Sequence, residues 1–488
     1  MQGKVTEQEK KPASGGRMYK KRDGQMTVED YILPFSGELD GNNRWVKLSK
    51  MIPWEAFEEK YARLFGKVGN PAKPARMALG ALLIQTKLQA TDEETVAQIS
   101  ENVYLQYFVG MQEYQSKPPF DPSMMVYFRK RITSEMLEEI NEWIRKKEDG
   151  GEANGSANGG ELTDTVVKDT SAMPKENRGQ LMLDATCAPQ DIRYPTDVSL
   201  LNDAREQLER MIDTLWSGWN GGGKPRTYRE CARREYLRFV KDRKPRIKKI
   251  RRAIRLQLGY IGRDLKIVDE LLSGSNGLST SQSERLRTIV RLYEQQLTMY
   301  KSRTHRVEER IVSISQPHVR PIVRGKAGRE VEFGAKVLVS LVDGHAAIEK
   351  LSWENFHEGG ELINSVERYH EKYGFYPEAV LADKLFRSRE NRAYCKTRGI
   401  RLSGPPLGRP KRVFDAERKR QERLDSAQRN AIEGVFGRGK RRFGLDLIMT
   451  KLKETSVISI HLQFLVMNLE NRIRFILSRF FCRLVFAT

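Results

Sequence analysis

Cysteine and histidine are scarce in this chain, with four and six respectively among 488 residues. Cys187, Cys231, Cys395 and Cys482 lie far apart with no C-x-x-C pair, which excludes zinc-site spacing and a disulfide framework. A reducing cytoplasm is the expected setting. Long uninterrupted apolar runs are also missing. The most apolar stretch, ISIHLQFLVMNLENRIRFILSRFFCRLVFAT, is broken by Arg472, Arg474, Arg479 and Arg483, too often for a membrane span. It is expected to form one or two buried helices that close the core. The polar start MQGKVTEQEKK does not read as a signal peptide, and no lipidation motif supports a membrane partner. Acid is the deficit among the charges: 64 Asp and Glu against 86 Lys and Arg give a net charge of +22. Such an excess attracts a polyanion, here nucleic acid ahead of an anionic membrane. A hydrophobic content of 39% suffices for real cores, and the length suggests roughly two to four domains.

Composition divides the chain into four stretches. Residues 1–26 are charged and contain Gly and Ser, the pattern of a disordered leader. Residues 27–147 have helical periodicity, as in PARMALGALLIQTKL, where Met77, Leu79, Leu82, Leu83 and Leu88 recur at helical spacing. Thr91-x-x-Glu94 reads as a capping box, and Asp121 or Ser123 as the N-cap of a third helix. Three short helices with a tight Gln89–Thr91 turn suit either a helix-turn-helix DNA reader or an ordinary helical bundle. Residues 148–178 form a linker around GGEANGSANGG.

From residue 179 to 488 the pattern is α/β. LMLDATCAP reads as an apolar strand ending in Asp184, and residues 200–315 as an insertion of long charged helices. Two strands follow, REVEFGAKVLVSLV and HAAIEKLSW, joined by an Asp343-Gly344 turn. Next come a helix stopped by Gly374, a strand PEAVLAD ending in Asp383, a helix, the short strand IRLSG, and a long helix from about Asp425. Without the insertion this is a hairpin-plus-crossover layout, the topology of a ribonuclease-H-like domain.

Carboxylates at strand ends suggest phosphodiester chemistry. Cleavage at neutral pH needs an activated hydroxyl and a stabilised leaving oxygen, which two Mg²⁺ ions held by Asp or Glu supply. Asp184 and Asp383 are expected at one sheet edge. In SAQRNAIEGVFGRGKRRFG, Arg429, Glu433 and Lys440 fall on one helix face. That face suits a metal ligand between phosphate clamps, or equally an exposed i,i+4 salt bridge. Gly434, Gly437 and Gly439, costly inside a helix, would let a DNA backbone approach. Asp191, Asp197 and Asp343 rank lower because they sit in loop, N-cap or turn positions, and the lone His318 reads as structural.

Between Lys224 and Arg255 there are 15 Lys or Arg and three acids, interleaved with Tyr228, Tyr236, Leu237, Phe239, Ile247, Ile250 and Ile254. A solvated helix normally mixes signs. This run reads as a DNA-backbone clamp, with Lys248, Lys249, Arg251 and Arg252 among its DNA contacts. A second basic run, GRPKRVFDAERKRQERL, precedes the last long helix.

These motifs resemble those of the bacterial insertion-sequence transposases with a DDE triad, the group that includes insertion sequence family five. LMLDAT is similar to their first acidic motif and VLADKLFRS to their second. Their third reads Tyr-x2-Arg-x3-Glu-x6-Lys, and here Ser426 stands in the Tyr position before Arg429, Glu433 and Lys440. QPHVRPIVRGKAGREVEFGAK resembles the family's approach to the second strand. Tyr31 to Ile144 resembles the domain these enzymes use on their terminal repeats. The resemblance implies an enzyme with a ribonuclease-H-like catalytic domain, a helical insertion and an all-α helix-turn-helix-like DNA-binding domain. It further implies Asp184, Asp383 and Glu433 as metal-binding catalytic residues, with Mg²⁺ (or Mn²⁺) as cofactor. Arg429, Arg438, Lys440, Arg441 and Arg442 would be DNA contacts. The implied partners are double-stranded terminal inverted repeats, target DNA and a second copy of the chain, in the bacterial cytoplasm at the nucleoid. A metal-dependent nuclease or resolvase on the same fold, or a copy that binds DNA without cutting, would share most of these features. A ribonuclease H acting on RNA is weaker, since no RNA-binding module is visible.

Overall fold

A computed structural model describes residues 17–18, 31–33, 37–66, 68–149, 176–217, 223–273, 277–326, 329–405 and 416–485. The expected leader and Gly-rich linker lie mostly outside these residues. A short parallel pair, β1 (Arg17–Met18) and β2 (Asn70–Pro71), accompanies seven helices. These are α1 (Arg44–Met51), α2 (Trp54–Ala62), α3 (Ala75–Leu88), α4 (Asp92–Glu101), α5 (Val103–Phe108), α6 (Met124–Arg131) and α7 (Ser134–Asp149). The sequence had suggested three. α3 is the central rod, with every residue from Met77 to Ile84 buried. It ends where Gln89 takes a left-handed conformation, φ 53°, making the expected tight turn. Thr91 Oγ1 then caps α4 by accepting the Glu94 N–H at 3.1 Å. Glu94's own carboxylate accepts Gln98 Nε2 at 2.8 Å rather than returning to the cap. Asp121, not Ser123, supplies the side-chain acceptor before α6, taking the Ser123 N–H at 2.9 Å.

The sheet contains β3 (Gln180–Pro189), β4 (Arg320–Lys326), β5 (Arg329–Val342), β6 (His345–Ser352), β7 (Ala379–Ala382) and β8 (Arg401–Leu402). The order is β4-β5-β3-β7-β8, with β6 paired to β5. β3 runs antiparallel to β5 and parallel to β7, and β8 is parallel to β7. β4 is an additional strand, paired with the first part of β5, in the segment expected only as an approach. The β5–β6 hairpin turns at Asp343 and Gly344, both at positive φ (49° and 82°), as an Asp-Gly turn demands. β7, AVLA, is buried throughout, as a central parallel strand should be.

Helices α8 (Asp197–Ser217), α9 (Arg229–Val240), α10 (Ile247–Leu272) and α11 (Thr280–Ser302) stand between β3 and β4 and bury a core of their own. Beyond β6 come α12 (Leu362–Tyr373), ended by Gly374 at φ 75°, and α13 (Arg389–Thr397). Last are α14 (Ala416–Arg442) and the single long helix α15 (Lys453–Val485). α14 begins nine residues before the expected Asp425, within the basic run, whose residues 408–415 lie outside the described set.

The N-terminal helices do not form a core apart from the sheet. Residues of α1–α7 share one buried cluster with β5, β6, α14 and α15. α15 carries much of this contact: its Asn468 hydrogen-bonds Asn141 of α7, and its Glu470 pairs with Lys87 of α3. Among the described residues, no helix is long and apolar enough to cross a membrane.

Candidate active site

Asp184 does not end its strand. β3 continues five residues beyond it to Pro189, because β5 remains alongside, placing Asp184 opposite Val339. The strand that stops is β7. Leu183 pairs with Ala382 in parallel register, so the next residues, Asp184 and Asp383, stand at the same level where β7 gives way to a turn. Asp383 caps the 3₁₀ turn Lys384–Phe386, accepting the Lys384 N–H at 2.6 Å. Asp184 accepts the Ala185 N–H at 2.8 Å.

α14 packs across both strands and brings the third motif to them. Arg429 Nη1 lies 4.0 Å from Asp184 Oδ2, and Arg429 Nη2 lies 3.2 Å from Glu433 Oε1. One guanidinium therefore spans two of the predicted carboxylates, and the i,i+4 salt bridge is formed. Burial pushes the Asp184 carboxyl up to about 6, and the nearby Glu358 and Glu433 push the same way against Arg429 and the Ala185 N–H.

Carboxylate oxygens are the donors a hard divalent cation takes, and crowding of negative charge around Asp184 is the condition such a cation relieves. The donor types thus fit Mg²⁺. Among the described residues, no three Asp, Glu, His or Cys side chains converge closely enough to hold a metal ion. Glu433 is 55% exposed and turned toward Arg429.

The other predicted residues are spread along and beyond α14. Ser426 is exposed one turn before Arg429, and Arg441 and Arg442 are exposed at the helix end, while Lys440 is partly buried. Arg438 turns toward α15 and donates to Asn471 Oδ1 at 2.8 Å. Gly439 serves packing: a Cβ there would lie 3.0 Å from Leu445 and 3.1 Å from Met467. At Gly434 nothing lies within 4 Å, and at Gly437 a Cβ would meet the end of the Arg441 side chain at 3.4 Å. On α10, Lys248 and Arg252 are exposed. Lys249 pairs with Asp242 at 2.7 Å, and Arg251 sits over the Tyr300 ring at 4.7 Å.

Two of the lower-ranked candidates, Asp197 and His318, have structural explanations. Asp197 opens α8 and accepts Arg310 Nη2 at 2.8 Å and Gln296 Nε2 at 2.9 Å. His318 packs edge-on against Trp353, and burial brings its pKa down to about 4.

Three neighbours of the site escaped the sequence reading. Glu358 opens a 3₁₀ turn and pairs with Lys336 at 2.9 Å. Gly359 lets that turn press against the one after Asp383, since a Cβ there would lie 2.3 Å from Leu385 O. Arg387 is half-buried beside Asp383, its guanidinium lying where a Cβ on Gly404 would be. Their sequence signals were the glycine pair in HEGGE and the arginine in DKLFRS, neither of which points to a partner far along the chain.

Residues 380–470, which include Asp383, Arg429, Glu433 and Lys440, match a family model described as a transposase DDE domain. Residues 34–131, which hold α1 to α6, match one described as "Transposase domain (DUF772)". Asp184 lies outside both spans. A curated relative in Rhizobium meliloti, the uncharacterized protein ORF8 in the nfe locus, is 30% identical over 165 residues, 34% of this chain and 70% of that protein. No solved structure matches the chain.

Proposed function

Because this chain belongs to the bacterial insertion-sequence DDE transposases, we propose that it cuts DNA at its element's terminal inverted repeats and joins the freed 3′ ends to target DNA. The observation that most supports this reading is the meeting of Asp184 and Asp383 at one level of two parallel strands, beneath a helix that carries Arg429 and Glu433. Asp184, Asp383 and Glu433 are the residues that would hold two Mg²⁺ ions, or Mn²⁺ in their place. Such ions, when bound, supply an activated hydroxyl and stabilise the leaving oxygen.

The chain's own groups have separable tasks in this reading. Asp184, raised to about 6 by burial and, after it, by Glu358 and Glu433, is the carboxylate that gains most from a nearby cation. Arg429 neutralises it and Glu433 until DNA arrives, then turns to a phosphate as a charge-assisted clamp. Lys440, Arg441 and Arg442 extend that contact along the backbone. Lys248, Lys249, Arg251 and Arg252 of α10 grip the duplex farther away, and the N-terminal helices hold the repeat. Two ends must be brought together, so the working form is a homodimer on DNA, acting at the nucleoid in the bacterial cytoplasm.

The test is a joining assay with a labelled duplex of the element's end, a supercoiled target plasmid and Mg²⁺. Wild-type protein should produce labelled plasmid, and Asp383→Asn should produce none while binding the end duplex equally well. End cleavage without joined product would favour a nuclease on the same fold.

A further inference from the structure

In a helix-turn-helix the second helix of the tight pair presents its N-terminal residues to the base edges. Across the Gln89–Thr91 turn that helix is α4, whose first turn is Asp92-Glu93-Glu94, with Glu101 at its far end and no Lys or Arg between. Such a surface is repelled by a phosphate-lined groove. Asp92 is also engaged elsewhere. Arg129 of α6 grips it through two bonds of 2.9 and 2.5 Å, and Gln85 of α3 adds a third at 2.6 Å.

The anchored partner, α6, has the opposite character. Met125, Phe128 and Arg129 are buried on its inner face, which packs against α3 and α15. Ser123, Val126, Tyr127 and Lys130 are exposed, and their spacing places them on one outward stripe. Val126 is 38% and Tyr127 48% exposed. Arg131 of the last turn lies 6.0 Å from the Tyr127 ring centroid and 4.9 Å from that of Phe65. A short helix with apolar, hydroxyl and cationic groups on one outer face matches what the major groove offers: thymine methyls, base-edge acceptors and flanking phosphates.

We propose that α6, not α4, enters the major groove of the element-end duplex, with Val126 and Tyr127 against base edges and Lys130 on a backbone phosphate or base edge. α4 serves as the buttress that aims it through the Arg129–Asp92 bridge. This rests on the reading that the N-terminal helices hold the element's ends.

Full-length protein should be titrated with the end duplex and with a scrambled duplex of equal length, by fluorescence anisotropy over a range of salt. Lys130→Ala should weaken binding about tenfold and lower the salt slope by about 0.9. Tyr127→Ala should weaken the end duplex about tenfold while changing the scrambled one little, thereby reducing the preference between them. The double variant Glu93→Gln, Glu94→Gln should bind like wild type. Unchanged affinity and preference in both α6 variants would overturn the proposal, as would an order-of-magnitude gain in the α4 variant. A wild type that binds neither duplex would overturn the DNA-binding reading beneath it, a distinct outcome.

Discussion

Replacing Asn468 by leucine tests whether the N-terminal helices and the six-stranded sheet form one folding unit. Asn468, buried on α15, completes the open edge of β6 as a peptide group would. The Ala346 N–H donates to Asn468 Oδ1 at 2.9 Å, and Asn468 Nδ2 donates to Ala346 O at 2.7 Å. The same Nδ2 reaches Asn141 Oδ1 of α7 at 2.7 Å. Leucine keeps the branching at Cγ, in a larger side chain, and removes these three bonds together with the 3.5 Å contact of Nδ2 to His345 Nε2. Ala346 is 1% exposed, so water does not replace the lost acceptor, and an unsatisfied buried donor costs about 1–3 kcal/mol. Ala346 O keeps Asn141 Nδ2 at 3.2 Å, and the half-buried Asn141 reaches solvent. The expected loss is therefore about 2–4 kcal/mol, dominated by the orphaned N–H. Asn141→Ala leaves Asn468 bonded to Ala346 and should lose only about 1 kcal/mol. Urea unfolding midpoints at constant slope measure both, and hydrogen exchange at the Ala346 amide locates the damage. If Asn468→Leu stays within about 0.5 kcal/mol of wild type, or Asn141→Ala is the more harmful, the reasoning about this edge is wrong.

Two of the three glycines of α14, Gly434 and Gly439, should part company. Gly434→Ala, with open space around it, should stabilise by up to about 1 kcal/mol yet weaken DNA binding, whereas Gly439→Ala should lower the melting temperature through its clash with Leu445 and Met467. The two cores should respond oppositely to pH, which hydrogen exchange with mass spectrometry at pH 5 and 7.5 can resolve. Burial and Glu209 push the Asp264 carboxyl of α10 up to about 7, above an unfolded value of about 4. The stability it contributes is full below about pH 4 and is lost as pH rises through 7, a slope that Asp264→Asn should abolish. Burial brings His345 and His461 down to about 4, below an unfolded value of about 6.5, so the stability they contribute around α15 is present above pH 6.5 and lost as pH falls through 4. On the basic arm, Lys248→Ala and Arg252→Ala should each lower the salt slope of DNA binding by about 0.9. Lys249→Ala should lower it less, because Lys249 is already paired with Asp242.

What the sequence made legible was local. The buried run AVLA, the Asp-Gly turn at Asp343 and the glycine stop at Gly374 carry their own backbone requirements, and each forms the element expected of it. The spacing of Arg429 and Glu433 places them together on any helix. Features that depend on a distant neighbour were not legible. Asp184 lies inside its strand because β5 remains beside it, a fact written in residues 334–341 and not in LMLDATCAP. The start of α14 was hidden because ERKRQERLDS holds a single apolar residue, Leu424, and so lacks an apolar period. The Gly-rich linker suggested separation, yet Asn468 and Glu470 tie the parts it joins into one core. Glu358 comes near Asp184 only through the packing of two short turns that sequence periodicity does not describe.

The most direct measurement is cleavage of a labelled element-end duplex in Mg²⁺ by wild-type protein and by Glu433→Gln, with binding followed in parallel. The account predicts metal-dependent nicking at the repeat edge by the wild type, lost in the variant while binding persists. Equal binding with no cutting by either protein, in Mg²⁺ or Mn²⁺, would contradict it and leave a chain that holds DNA without breaking it.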